Sequence, residues 1–272
     1  MHGAATNHEA AGDGAGVFDC DGESAYGAGV RYWEARHAAD AFDGVDFDWL
    51  FEYTQLRGLL KRHVPQSATV LQLGCGNSRL AEEWANAGHT GEIRNVDYAP
   101  RLVAQLKADA SRRPPLANVS YEVADVRRLS ESVFPTDSFD CVFDKSTFDC
   151  IACNGADYSD DLEVMLQHAF RVLRRGGIYL LVSCGDPSTR LPWLEDEEGL
   201  DWDVSISFMS VRSRADTDGN AAADRADAAE VHVSEEVLVS GNDDWPEALR
   251  GVEEGDHTYV YICRKRPPEA HG

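Results

Sequence analysis

Two glycines and one acidic residue have the types and spacing of a ligand cradle. Thr69-Val-Leu-Gln-Leu-Gly-Cys-Gly-Asn-Ser-Arg-Leu80 reads as a short apolar strand that breaks into a glycine turn and then opens a helix. Gly74 permits the tight turn and Gly76 lets a ligand approach the backbone, because neither carries a Cβ. The helix start behind them offers unpaired N–H groups. A second apolar segment, Ile93-Arg-Asn-Val96, ends in Asp97, 21 residues after Gly76. That is close to the ~20 residues at which an acid takes ribose hydroxyls. A dinucleotide turn wants a third Gly for close helix packing, but Arg79 stands there, which counts against NAD or FAD.

The elements that must position these residues alternate. Leu56 to His63 reads as a helix closed by Pro65, followed by the strand at 69–73 and a helix of about three turns ending near Gly88. The next strand runs to Asp97, and Pro100 starts a helix with Leu102, Val103 and Leu106 on one face. Strands are expected over 119–124 and 138–143, ending at Asp125 and Asp144, then a helix over 160–173 stopped by Arg174-Arg-Gly-Gly177. Ile178–Ser183 is apolar enough to be a strand buried on both faces. This alternation predicts a parallel sheet with helices on both faces. Asp97, Asp125 and Asp144 then end successive strands along one edge, where open parallel sheets bind ligands. Strands over 204–211, 231–239 and 257–263 would close a mixed sheet.

The flanks differ. Residues 1–28 hold little to bury and read as a disordered tail. Residues 214–229 lack large apolar side chains and read as a disordered acidic insertion; 267–272 is a second tail, leaving one domain over 29–266. Between them, Tyr32, Trp33, Phe42, Phe47, Trp49, Phe51 and Tyr53 cluster ahead of the first strand, either as a packed helix or as a lid over a ligand.

Composition narrows the partners. The net charge of −23 opposes broad contact with nucleic acid or anionic lipid and suits a basic protein partner. No apolar run approaches the ~20 residues of a membrane span. Residues 1–30 carry no Lys or Arg, so neither a secretory signal nor a transit peptide is expected there. The seven Cys are scattered, which suggests reduced thiols and a cytoplasmic location. Cys150-Ile-Ala-Cys153 has no second ligand pair for a metal and reads as two small buried or half-buried side chains.

The motif Leu-Gly-Cys-Gly-Asn-Ser resembles the first motif of class I S-adenosylmethionine-dependent methyltransferases. A narrower likeness runs through Tyr32-Trp-Glu-Ala-Arg-His37, Phe47-Asp-Trp49, Leu73–Ser78, Val96-Asp-Tyr98, Asp125-Val-Arg-Arg-Leu129 and Phe139–Asp149. These six motifs resemble the methyltransferase-like protein-lysine methyltransferases, whose members include enzymes acting on elongation factor 1-alpha. The resemblance implies a Rossmann-like fold: a mostly parallel seven-stranded sheet with helices on both faces and an antiparallel closing strand. It implies S-adenosylmethionine as cofactor. Trp33 and Trp49 would pack around it, Gly74 and Gly76 would form the turn, and Asp97 would take the ribose hydroxyls beside Tyr98. Asp125 and the Val126 backbone would meet the adenine, and Lys145 follows Asp144 where the family has Glu-Lys. His37 replaces a family aromatic and can still stack.

For Trp33 and Trp49 the alternative is plain core packing, and Asp97 and Asp125 can also be helix caps. A lysine acceptor must shed a proton before it can attack; Asp144 or Asp149 could orient it, though neither is assigned as a base, and no catalytic residue is named. The expected activity is methylation of a lysine on a basic protein such as elongation factor 1-alpha. The alternatives are a small-molecule acceptor or a non-catalytic binding module.

Overall fold

The computed structural model describes residues 29–37, 48–153, 158–195, 199–212, 230–241 and 257–267. The tail over 1–28, the insertion over 214–229 and residues 268–272 lie outside them, as do Phe42 and Phe47.

The elements are helices α1 Val30–Arg36, α2 Tyr53–His63, α3 Leu80–Asn86, α4 Pro100–Ser111, α5 Thr147–Ala152, α6 Tyr158–Val172 and α7 Pro187–Leu194. The strands are β1 Val70–Leu73, β2 Ile93–Asp97, β3 Val119–Val123, β4 Phe139–Lys145, β5 Leu173–Ser183, β6 Trp202–Arg212, β7 Glu230–Val233, β8 Val237–Leu238 and β9 Thr258–Lys265. Sheet order is β3-β2-β1-β4-β5-β9-β6-β7, with β8 also on β6. β1 to β5 are parallel, so their carboxyl ends share one edge. β9 enters antiparallel between β5 and β6. The first seven strands of this order form the expected sheet, and β7 and β8 extend it.

Three boundaries differ from expectation. α3 has two turns rather than three, ending at Asn86. β5 starts at Leu173, because Arg174–Gly177 is not only a helix stop. Leu173 pairs with Phe139 and Ile178 with Cys141, so extra residues bulge out where Gly176 has φ +79. The strand expected over 231–239 is broken into β7 and β8. Ser234 leaves the ladder and its hydroxyl accepts from the Phe208 N–H at 3.0 Å, shifting the register on β6 by one residue.

Alternate residues of the central strands feed two cores. Leu71, Leu73, Val142, Tyr179 and Leu181 face α6 through Leu162, Met165 and Leu166. Val70, Phe143, Leu180 and Val182 face α2 and α3 through Leu56, Leu59 and Trp84. This double burial makes the strands continuous apolar runs and holds their carboxyl ends rigidly in one plane. The N-terminal helix α1 docks beside α4: Glu34 accepts from the Arg101 N–H at 3.1 Å and pairs with its guanidinium.

Candidate functional site

The carboxyl edge of β1 to β4 carries a cavity of about 120 Å³. The sheet edge supplies the floor. After β1 the chain turns through Gly74 (φ +53) and Gly76 (φ +55), a left-handed conformation that suits glycine. The two glycines differ in what they allow. A Cβ on Gly74 would lie 2.2 Å from Thr147 Oγ1, so this glycine is needed to seat the turn against the end of β4. A Cβ on Gly76 would meet nothing within 4 Å, so the open space beside it is available to a ligand.

Asp97 ends β2 and ties the turn to it. Its carboxylate accepts from the Gly76 N–H at 3.1 Å and from the Ala99 N–H at 2.9 Å. Burial raises its pKa, and those N–H groups oppose the rise. Asp125, past β3, accepts from the Arg127 N–H at 3.0 Å and from both Nε and the terminal nitrogen of the Arg127 guanidinium at 2.9 and 2.8 Å. Burial pushes this carboxyl up, but the Arg127 hydrogen bonds outweigh it and hold the group below its ordinary value. Arg127 also reaches Asp161 at 2.6 Å, which fixes the turn to α6. Tyr98 follows Asp97; burial pushes its phenol up, so it stays neutral.

The roof is aromatic. Trp33 on α1 stacks on His37 with centroids 5.6 Å apart and meets Trp49 edge-on at 6.5 Å. Arg36 lies over the Trp49 ring at 5.2 Å. Burial first, and then the Arg36 charge, lower the His37 pKa to about 4, so the ring is a neutral stacking partner at pH 7. The roof is bolted to the floor by Lys145. Its ammonium donates to Asp48 Oδ1 at 2.9 Å and to the Trp49 carbonyl at 2.7 Å. Lys145 is 8% exposed, a buried tie rather than a solvated lysine.

All ten residues singled out from the sequence (Trp33, His37, Trp49, Gly74, Gly76, Asp97, Tyr98, Asp125, Val126 and Lys145) line this one cavity. Others had not been anticipated: Arg127, Ser146, Thr147, Cys150 and Ile151 complete the wall, with Gly29 and Ala124. Cys150 and Cys153 are half-buried, as expected, and Cys150 forms part of the cavity wall.

Asp144 and Asp149 do not take the place expected of them. Asp144 lies wholly buried under the edge and accepts from Tyr179 OH at 2.9 Å and the Thr147 N–H at 2.8 Å. Burial raises its pKa to about 7, against the Tyr179 bond. Asp149 is also fully buried, held by Ser183 Oγ at 2.5 Å, the Cys184 N–H at 3.1 Å and Arg190 at 2.8 Å. Neither lines the cavity. Both anchor backbone: Asp144 fixes the start of α5, and Asp149 the turn after β5.

The family model described as a methyltransferase domain matches residues 66–214, more than half of the chain and every strand from β1 to β6. The chain belongs to the methyltransferase domain family. The domain is 31% identical over 169 residues to EEF1A lysine methyltransferase 4 of Mus musculus, a match covering 60% of this chain and 63% of that one. It is 30% identical over 193 residues to the mitochondrial citrate synthase-lysine N-methyltransferase CSKMT of Pongo abelii, covering 65% and 78%. The chain thus spans less than two thirds of the length of the first of these relatives. Among solved structures, the [4+2]-cyclase SpnF superposes with a TM-score of 0.53 at 14% identity, covering 89% of this chain and 96% of that one; this likeness concerns the fold alone.

The cofactor that goes with the methyltransferase domain is S-adenosylmethionine, and the residues present fit it. The space beside Gly76 admits a ligand against the backbone, two acids stand at the ends of neighbouring strands, and the walls are aromatic. Among the described residues no group of His, Cys, Asp and Glu could hold a metal, and no helix is long and apolar enough to cross a membrane.

Proposed function

We propose that this chain is an S-adenosylmethionine-dependent protein-lysine N-methyltransferase acting on a basic protein. The observation that carries the proposal is Asp97. Its carboxylate bridges the end of β2 to the glycine turn inside a cavity that Asp125 and the Trp33–Trp49 roof also line. In this assignment Asp97 receives the ribose hydroxyls, and Tyr98, Asp125 and Val126 receive the adenine. The names of the relatives, methyltransferases of elongation factor 1-alpha and of citrate synthase, support a lysine on a protein as acceptor. The net charge of −23 suits a basic substrate and disfavours nucleic acid and anionic membranes. Six free thiols among the described residues suit a reducing compartment, and we place the protein in the cytoplasm.

The bound cofactor supplies an activated methyl group on a sulfonium. The chain's task is to align the acceptor and exclude water. Trp33, His37 and Trp49 cover the site and Lys145 keeps that cover in place. With Asp144 and Asp149 committed to backbone, neither serves as a base, and no general base is assigned.

The aromatic roof over the cavity favours a second assignment, a small-molecule acceptor. Both are tested by incubating the protein and tritiated S-adenosylmethionine with elongation factor 1-alpha and, separately, with a eukaryotic lysate. Label recovered as methyl-lysine after protein hydrolysis supports the proposal. Label confined to the small-molecule fraction selects the second assignment. No transfer by protein that binds the cofactor refutes both and leaves a binding module.

A further inference from the structure

Ser146 combines two features that each call for an explanation. It stands between β4 and α5 with φ +68, a left-handed conformation that glycine takes freely and side chains rarely adopt. Its hydroxyl is buried without a hydrogen-bond partner among the described residues, while its N–H donates to the Val182 carbonyl at 3.1 Å. A buried polar group left unsatisfied in a strained turn is a mark of a position used by a ligand.

Its place in the sheet says which part of a ligand it would meet. Thr147 Oγ1 donates to the Leu73 carbonyl at 2.9 Å, so the turn after β4 is seated on the glycine turn after β1. Asp97 and Asp125, assigned to the nucleoside, follow β2 and β3, and the order β3-β2-β1-β4 carries the remainder of the donor across β1 toward β4. Ser146 lines the cavity there. The neighbouring ammonium of Lys145 is already committed to Asp48 and Trp49, and Ile151 adds only apolar surface.

We propose that the Ser146 hydroxyl hydrogen-bonds the charged amino-acid end of the methyl donor. This rests on the cofactor assignment above and adds a residue whose side chain, not its backbone, holds that end.

The test compares wild type, Ser146→Ala and Ser146→Gly by calorimetry with two nucleosides. S-adenosylhomocysteine keeps the amino-acid end, and 5′-methylthioadenosine, measured by competition, lacks it. Both variants should bind S-adenosylhomocysteine about tenfold more weakly, the loss expected for a hydrogen bond to a charged group, and bind methylthioadenosine within about twofold of wild type. Ser146→Gly should melt no lower than wild type, because glycine accepts the backbone angle. Equal weakening of both nucleosides, or of neither, would overturn the proposal. Wild-type protein that binds neither nucleoside overturns the cofactor assignment itself, a different failure that removes Ser146's role with it.

Discussion

The Lys145 ammonium lies 2.7 Å from the Trp49 carbonyl oxygen and 2.9 Å from Asp48, joining the end of β4 to a segment 96 residues earlier in the chain. This buried contact is what makes the aromatic roof part of the site. Burial lowers the Lys145 pKa, and the Asp48 charge opposes that shift. Lys145→Met leaves the Asp48 carboxylate without its cation and should cost about 3 kcal/mol in denaturant unfolding. It should also weaken S-adenosylmethionine binding by releasing Trp49. Unchanged affinity in a folded variant would show that the Lys145 contact does not hold Trp49 in its binding position.

The two glycines of the turn should separate folding from binding. Gly74→Ala drives a Cβ into Thr147 in addition to straining the backbone, and should cost about 3 kcal/mol or more. Gly76→Ala meets only the backbone penalty, about 1–2 kcal/mol, yet its Cβ enters the open space beside the turn. Its melting temperature should fall modestly and its cofactor affinity at least tenfold. Equal effects of the two variants on stability would contradict the difference in their surroundings.

Much of this site was legible because its markers are local. Gly74, Gly76 and Asp97 follow from a strand, a turn that requires glycine and a fixed spacing, and all three stand where expected. The limits are equally physical. β4 is buried on both faces, so period-two alternation does not say which side chain turns into the cavity. Asp144 therefore read as an acid on the binding edge, and the structure buries it beneath that edge, while Lys145 beside it lines the cavity. Ser146 left no signal, since a serine in a left-handed turn is not marked by its type. The start of β5 was obscured because Arg174–Gly177 looks like a helix stop and also forms a bulge.

Asp144 should make the fold pH-dependent. Burial raises its pKa to about 7 from an ordinary value near 4, so the folded state holds a proton that the unfolded chain has released. The sign follows: this contribution is complete below about pH 4 and is lost as pH rises through about 7, at up to about 1.4 kcal/mol per pH unit between them. Asp144→Asn, neutral at every pH, should flatten that slope in urea unfolding measured at pH 5, 6, 7 and 8. A slope retained in the variant would assign the proton to another group.

The most direct test of the cofactor site is a calorimetric titration of S-adenosylmethionine into the purified protein with Asp97→Ala measured alongside. Wild type should bind in the micromolar range and the variant should not, with both shown to be folded by circular dichroism. Failure of folded wild-type protein to bind, or full affinity in the variant, would contradict the assignment of this cavity.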